Sequence, residues 1–251
     1  MTPLSPPASL RLLRYGTLGS TNDEAKRLAD AGATDWTVVW ALQQTAGRGR
    51  GGSTFVSPPG NLYFSVIVRP ACAASAAAQL GFAAALAVGA AVAPRLPAGR
   101  DLRYKWPNDV LVDGCKLSGI LLESAAAHDG SLAWLVAGIG VNVASHPAGT
   151  AWPATSLAAV GAGPIEVEPL LRSIVRAFRA ETMRWLDQGF APIRAAWLAR
   201  AHALGEPVGV RLPRESFSGR FVDLDRDGML LVETAAGPRR ISAGEIFAAA
   251  A

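Results

Sequence analysis

The apolar positions of the chain fall into two periods. Runs rich in β-branched and aromatic residues predict strands at Leu10 to Tyr15, Thr37 to Leu42, Asn61 to Val68 and Leu102 to Trp106, the last ending at Pro107. Between the first two lies Ser20-Thr21-Asn22-Asp23-Glu24. Thr21 and Glu24 have capping-box spacing, so Ala25 to Ala31 is expected to be a helix stopped by Gly32. Ala76 to Ala93 predicts a longer helix. It is apolar and nearly long enough to span a membrane, but it is mostly alanine, and Gln79, Gly81 and Gly89 interrupt it. Alanine is a strong helix former and a weak membrane residue, so a buried helix is expected.

The middle of the chain turns antiparallel. Asp113-Gly114 separates Val110 to Val112 from Lys116 to Ser124, and Asp129-Gly130 leads into Leu132 to Val143. Asp-Gly between alternating apolar runs signals a hairpin. Residues 145–163, rich in Ala, Gly, Pro and Thr, predict a long loop. Helical spacing returns over Glu168 to Gln188 and Phe190 to Ala201. After Gly205-Glu206-Pro207 the period drops to that of short strands: Val208 to Leu212, Gly219 to Leu224, Gly228 to Glu233 and Arg239 to Ile241. The expected class is α+β, with a mixed, largely antiparallel sheet covered by helices and a small C-terminal β-barrel. The corresponding domains are residues 1–204 and 205–251.

Composition narrows the function. Half the residues are hydrophobic and 18% are charged, which favours a large core over disorder. The net charge is +4 and no block of like charge occurs. In residues 205–251 six arginines face seven acidic residues, and no aromatic-basic stripe appears, which argues against nucleic acid. Cys72 and Cys115 match no metal or redox spacing, the three histidines are scattered, and the first ten residues lack a leader pattern. A cytoplasmic protein without a metal centre of its own is expected.

Polar residues interrupt the apolar runs in a few places. Gly47 to Gly52 holds four glycines and two arginines between two strands. Glycine lets backbone N–H groups approach an anion, and arginine adds a fork that matches carboxylate or phosphate. Lys105-Trp106-Pro107-Asn108-Asp109 and Lys116-Leu117-Ser118-Gly119 follow, and Gly138 to Asn142 closes a strand with a lone amide. Each has a plainer reading: a basic surface loop, a helix cap at Ser20 to Asn22, turn chemistry at Asn108-Asp109, exposed lysines at strand ends. Arg69 and Arg103 are expected at the surface. If the strands are neighbours, these clusters converge on a cationic pocket with two lysines and two arginines. No nucleophile, acid/base pair or Walker pattern accompanies them, so such a pocket would work by positioning and charge neutralisation. A carboxylate attacking the α-phosphate of ATP is a reaction of that kind, since the carboxylate needs no general base.

Together the blocks Gln44 to Arg50, Lys105 to Asp109, Lys116 to Leu121 and Gly138 to Asn142, with Ser20-Thr21-Asn22 upstream, resemble the biotin protein ligases. The resemblance spans residues 14–247. It implies a catalytic domain like that of class II aminoacyl-tRNA synthetases and an SH3-like C-terminal barrel. It also implies a two-step reaction: biotin and MgATP give biotinoyl-5′-AMP and pyrophosphate, and a lysine of a biotin carboxyl carrier domain then takes the acyl group. By the resemblance, Ser20, Thr21, Asn22, Gln44, Arg48, Gly49, Arg50, Lys116 and Gly119 face biotin. Arg50, Phe55, Lys105, Asn108 and Asn142 face the nucleotide, and Lys116, Arg48 and Asp109 serve catalysis. The glycine-arginine loop is expected to be a lid, poorly ordered without ligand.

Two departures stand out. Phe55 replaces the tryptophan of many relatives, and only about 14 residues precede the first core strand, too few for the DNA-binding domain of some members. No membrane, no nucleic acid and a monomer or homodimer are expected. A lipoate ligase or octanoyltransferase of the same fold is the alternative, although those lack the Gly-Arg-Gly-Arg run and the Lys-Trp-Pro-Asn-Asp block. A non-catalytic sensor is disfavoured by the presence of both Lys105 and Lys116.

Overall fold

The computed structural model describes residues 10–248. The proline-rich start, apart from Leu10, and residues 249–251 lie outside it. Seven strands form the main sheet: β1 (Arg11–Leu18), β2 (Thr37–Gln44), β3 (Leu62–Val68), β4 (Leu102–Lys105), β5 (Asp109–Val112), β6 (Cys115–Ala126) and β7 (Leu132–Val141), in spatial order β1-β2-β3-β7-β6-β5-β4. Only the β1–β2 pair is parallel. Its crossover is the helix α1 (Thr21–Asp30). The β5–β6 hairpin turns at Asp113-Gly114, both with positive φ, as the twist of an antiparallel pair demands.

One face of the sheet packs on α2 (Leu80–Val92) and α3 (Val167–Gln188), with α4 (Phe190–Leu198) against α2. All of α2 except Ala90 is buried, so its apolar length serves the core. On the other face Ala25 and Ala29 of α1 pack on Val39, Ile67, Trp134 and Val136. That helix covers only one end of its face. Further along β7, the same face continues through Gly138 and Gly140, since side chains alternate along a strand, and no helix covers it there.

The cap of α1 lies one residue earlier than its spacing suggests. Ser20 is the N-cap and accepts from the Asp23 N–H at 3.4 Å, which frees Thr21 and Asn22 for other partners. Arg103 pairs with Asp101 as a surface residue would. Arg69 does not sit free at the surface. It donates to the carbonyls of Ala29 at 2.6 Å, Ala133 at 2.8 Å and Ala33 at 3.2 Å, joining the end of α1 to β7. Arg69→Met strands those carbonyls and is expected to cost about 3 kcal/mol of unfolding free energy in a urea titration. A loss below about 1 kcal/mol would mean that water replaces the guanidinium.

The C-terminal residues form a second, five-stranded antiparallel sheet of β8 (Pro207–Arg211), β9 (Ser216–Leu224), β10 (Leu230–Thr234), β11 (Gly237–Ile241) and β12 (Glu245–Ala248), in order β11-β10-β9-β8-β12. The apolar pattern predicts only the first four. Its arginines are largely spent within the sheet, Arg239 on Glu215 and Arg240 on Asp225 and Asp227. The sheets meet where buried Trp106 donates Nε1–H to the Gly228 carbonyl at 3.2 Å.

Candidate active site

The uncovered end of the main sheet floors a cavity of about 300 Å³. Three glycines pave it. A Cβ on Gly138 would lie 2.0 Å from Asn22 Oδ1, and one on Gly140 would lie 2.5 Å from the Phe55 ring. A Cβ on Gly119, opposite Gly140 in the β6–β7 ladder, would crowd the Lys116 ammonium at 3.2 Å. Side chains there would fill the space in which a ligand must lie.

The start of α1 makes one wall. Thr21 donates its backbone N–H to Gln44 Oε1 at 2.8 Å, and its hydroxyl lies 3.1 Å from the same oxygen. Gln44 passes its own Nε2–H to Ser57 at 2.9 Å. The buried Ser65 hydroxyl lies 2.8 Å from Thr21 Oγ1 and 2.6 Å from Asn22 Oδ1, and its one proton serves one of them at a time. Asn22 donates through Nδ2 to Glu123 Oε2 at 2.9 Å and to the Leu121 carbonyl at 3.3 Å.

The glycine-arginine loop arches over the cavity. It forms a hairpin: Phe55 N–H donates to the Gly47 carbonyl and Gly49 N–H to the Ser53 carbonyl, at 2.9 and 2.7 Å. Both arginines are anchored as well. Arg48 Nη2 bridges Glu123 at 2.6 Å and Asp23 at 2.8 Å. Arg50 reaches across to the second sheet and donates to the Gly244 carbonyl at 3.3 Å. Burial draws the Arg50 pKa down, against the pull of Asp109 and Glu245. Burial alone would raise the Glu123 carboxyl, but Lys26, Asn22 and Arg48 together hold it below its ordinary range.

The opposite end holds the lysines. Asp109, 8% exposed, sits between Lys116 Nζ at 2.6 Å and Lys105 Nζ at 3.7 Å. Lys105 is itself 6% exposed, with its ammonium 4.4 Å from the centre of the Trp152 ring. Burial lowers its pKa, and Asp109 opposes the shift. Asn108 donates to the Ile120 carbonyl at 2.6 Å and fixes the turn before β5. Asn142 spends its Nδ2–H groups on the Thr155 and Lys116 carbonyls, at 2.9 and 3.4 Å, and so pins the long loop against β6.

Every residue that the resemblance singles out lines this one cavity: Ser20, Thr21, Asn22, Gln44, Arg48, Gly49, Arg50, Phe55, Lys105, Asn108, Asp109, Lys116, Gly119 and Asn142. Among the wall residues that escape the motif reading are Trp152 from the long loop and Glu245 and Phe247 from the second sheet. A lone tryptophan in a stretch of Gly, Pro and Thr was the one available signal for the first. The cavity is less cationic than its lysines and arginines alone imply, since acidic residues face all four.

Residues 18–142 match the model of the Biotin/lipoate A/B protein ligase family, and residues 203–248 match that of the Biotin protein ligase C terminal domain. The chain is 43% identical over 237 residues to the biotin–[acetyl-CoA-carboxylase] ligase of Paracoccus denitrificans, covering 91% of this chain and 96% of that one. The chain belongs to the biotin protein ligase family. The family fold is matched throughout. The biotin protein ligase of Aquifex aeolicus, solved in complex with biotin and ATP, superposes with a TM-score of 0.78 at 27% identity, covering 94% of this chain and 97% of that one. The biotin protein ligase of Leishmania major, solved in complex with biotinyl-5-AMP, gives 0.62 at 26% identity, with 95% and 100% covered. Membership settles the fold as α+β with a C-terminal SH3-like module and does not favour the lipoate alternative.

Proposed function

We propose that this cavity activates biotin with MgATP and hands it to a lysine of a biotin carboxyl carrier domain. A biotin carboxylate oxygen attacks the α-phosphorus, and pyrophosphate leaves with the broken P–O bond. The acceptor amine then attacks the acyl carbon of the mixed anhydride. AMP departs and the amine sheds a proton, leaving an amide. The observation that carries the reading is the convergence of the motif residues on one glycine-floored cavity, with a hydrogen-bonding wall at one end and Lys105, Lys116 and Asp109 at the other.

In this reading Ser20, Thr21, Asn22, Gln44 and the loop at Arg48 to Arg50 hold the biotin ring, and Gly119 gives it room. Lys116 and Arg48 stabilise charge where carboxylate and α-phosphate meet. Each such charge-assisted contact is worth about 1.5–3 kcal/mol. Arg50, Phe55, Lys105, Asn108 and Asn142 take the nucleotide end, Asn142 largely by securing the loop that carries Trp152. Residues 1–204 form the catalytic domain and 205–251 the SH3-like one. The protein acts in the cytoplasm, as a monomer or homodimer, on a protein partner and not on nucleic acid or membrane.

Asp109 orients or deprotonates the acceptor lysine. Its buried carboxylate, between two ammonium groups, supports the role. Asp109→Asn is expected to slow acyl transfer from preformed biotinoyl-5′-AMP by about 10²-fold in single-turnover assays with the carrier domain. Transfer at the unaltered rate would remove Asp109 from the second step.

A further inference from the structure

We infer that Glu123 is a positioning residue for the biotin end of the cavity, fixing the Asn22 amide and anchoring Arg48 without touching substrate. The inference rests on the reading that Asn22 and Arg48 face biotin. Glu123 projects from β6 on the same face as Gly119 and Leu121, one strand pair beyond the floor, opposite Val136. It does not line the cavity. One carboxylate there gathers donors from separate elements: Asn22 Nδ2 at 2.9 Å and Arg48 Nη2 at 2.6 Å on Oε2, and Lys26 Nζ at 2.7 Å on Oε1.

Two consequences follow for the site. An asparagine amide has two ends of nearly equal shape, and its neighbours decide which way it faces. With Nδ2 held by Glu123 and the Leu121 carbonyl, Oδ1 must turn to Ser65 and the space above Gly138. A flipped amide would set oxygen against carboxylate. The second consequence concerns the loop. Arg48 has one other carboxylate partner, Asp23, whose side chain is 56% exposed, and exposed pairs hold little. The Glu123 side chain is 23% exposed, so it is the firmer anchor. The group that orients a ring-binding amide therefore also holds the loop closed, and the two are set together.

Glu123→Gln and Glu123→Asp, compared in biotin-dependent ATP–pyrophosphate exchange and in limited trypsinolysis, test this. Glu123→Gln keeps the size but must turn an NH2 toward Arg48, Asn22 or Lys26. It is expected to raise the KM for biotin about tenfold or more, with a change under about threefold in the KM for ATP, and to speed cleavage after Arg48. Glu123→Asp keeps the charge and should recover part of both effects, and it carries the test if the Gln variant does not fold. Lys26→Met, which shares the carboxylate but not the cavity, should shift the biotin KM less than about threefold. Faster cleavage with a raised KM for ATP and an unchanged KM for biotin would uphold the positioning role and refute the assignment of this end to biotin. Folded variants with the unaltered biotin KM and cleavage rate would overturn the inference.

Discussion

Replacing Lys116 with Met is expected to lower biotin-dependent ATP–pyrophosphate exchange by about 10²–10³-fold, the usual loss when one preorganised donor at developing charge is removed. The step brings a carboxylate against an α-phosphate, two anions whose repulsion sets much of the barrier. The Lys116 ammonium lies over the floor beside Gly119 and 2.6 Å from Asp109, where both anions must pass. Its removal also leaves Asp109 with only Lys105, at 3.7 Å, so a nearly buried carboxylate would confront the incoming substrates. Lys116→Arg should not restore the rate, because a planar, delocalised fork does not reproduce the compact ammonium that lies 2.6 Å from Asp109. Exchange within about threefold of the parent would show that Lys116 serves only as a partner of Asp109.

Gly138→Ala is expected to damage both the fold and the site with a single methyl group. Its Cβ would come 2.0 Å from Asn22 Oδ1, well inside contact distance. Asn22 cannot yield cheaply, since Ser65, Leu121 and Glu123 hold it. Overpacking of this kind costs about 1–3 kcal/mol, and relief by swinging the amide away would remove it from the biotin wall. The expected result is a lowered melting temperature together with a biotin KM raised more than about tenfold. Gly140→Ala meets Phe55 instead, a half-buried ring on the loop side, and should fall mainly on the KM for ATP. Equal effects of the two substitutions on both KM values would contradict the division of the cavity into two ends.

The sheet was legible because its strands carry β-branched runs and its hairpins carry Asp-Gly. The convergence of the site was legible because the polar clusters sit at the ends of those strands. What escaped depended on tertiary partners. Ser20 takes the cap, and Thr21 is drawn instead to Gln44 and Ser65, groups distant in the chain. Arg69 reads as a surface arginine until the end of α1 arrives beside it. The arginines of the loop at Gly47 to Gly52 read as ligand contacts alone, and their partners Asp23, Glu123 and the Gly244 carbonyl come from three other segments. The strand at Glu245–Ala248 is too short to show a period of its own, and with it went Glu245 and Phe247 as wall residues.

The central claim is that this cavity adenylates biotin, and pyrophosphate exchange into ATP with alternative acids tests it most directly. Exchange that depends on biotin, with lipoate and octanoate near background, is the predicted result. Exchange supported by lipoate and not by biotin would contradict it.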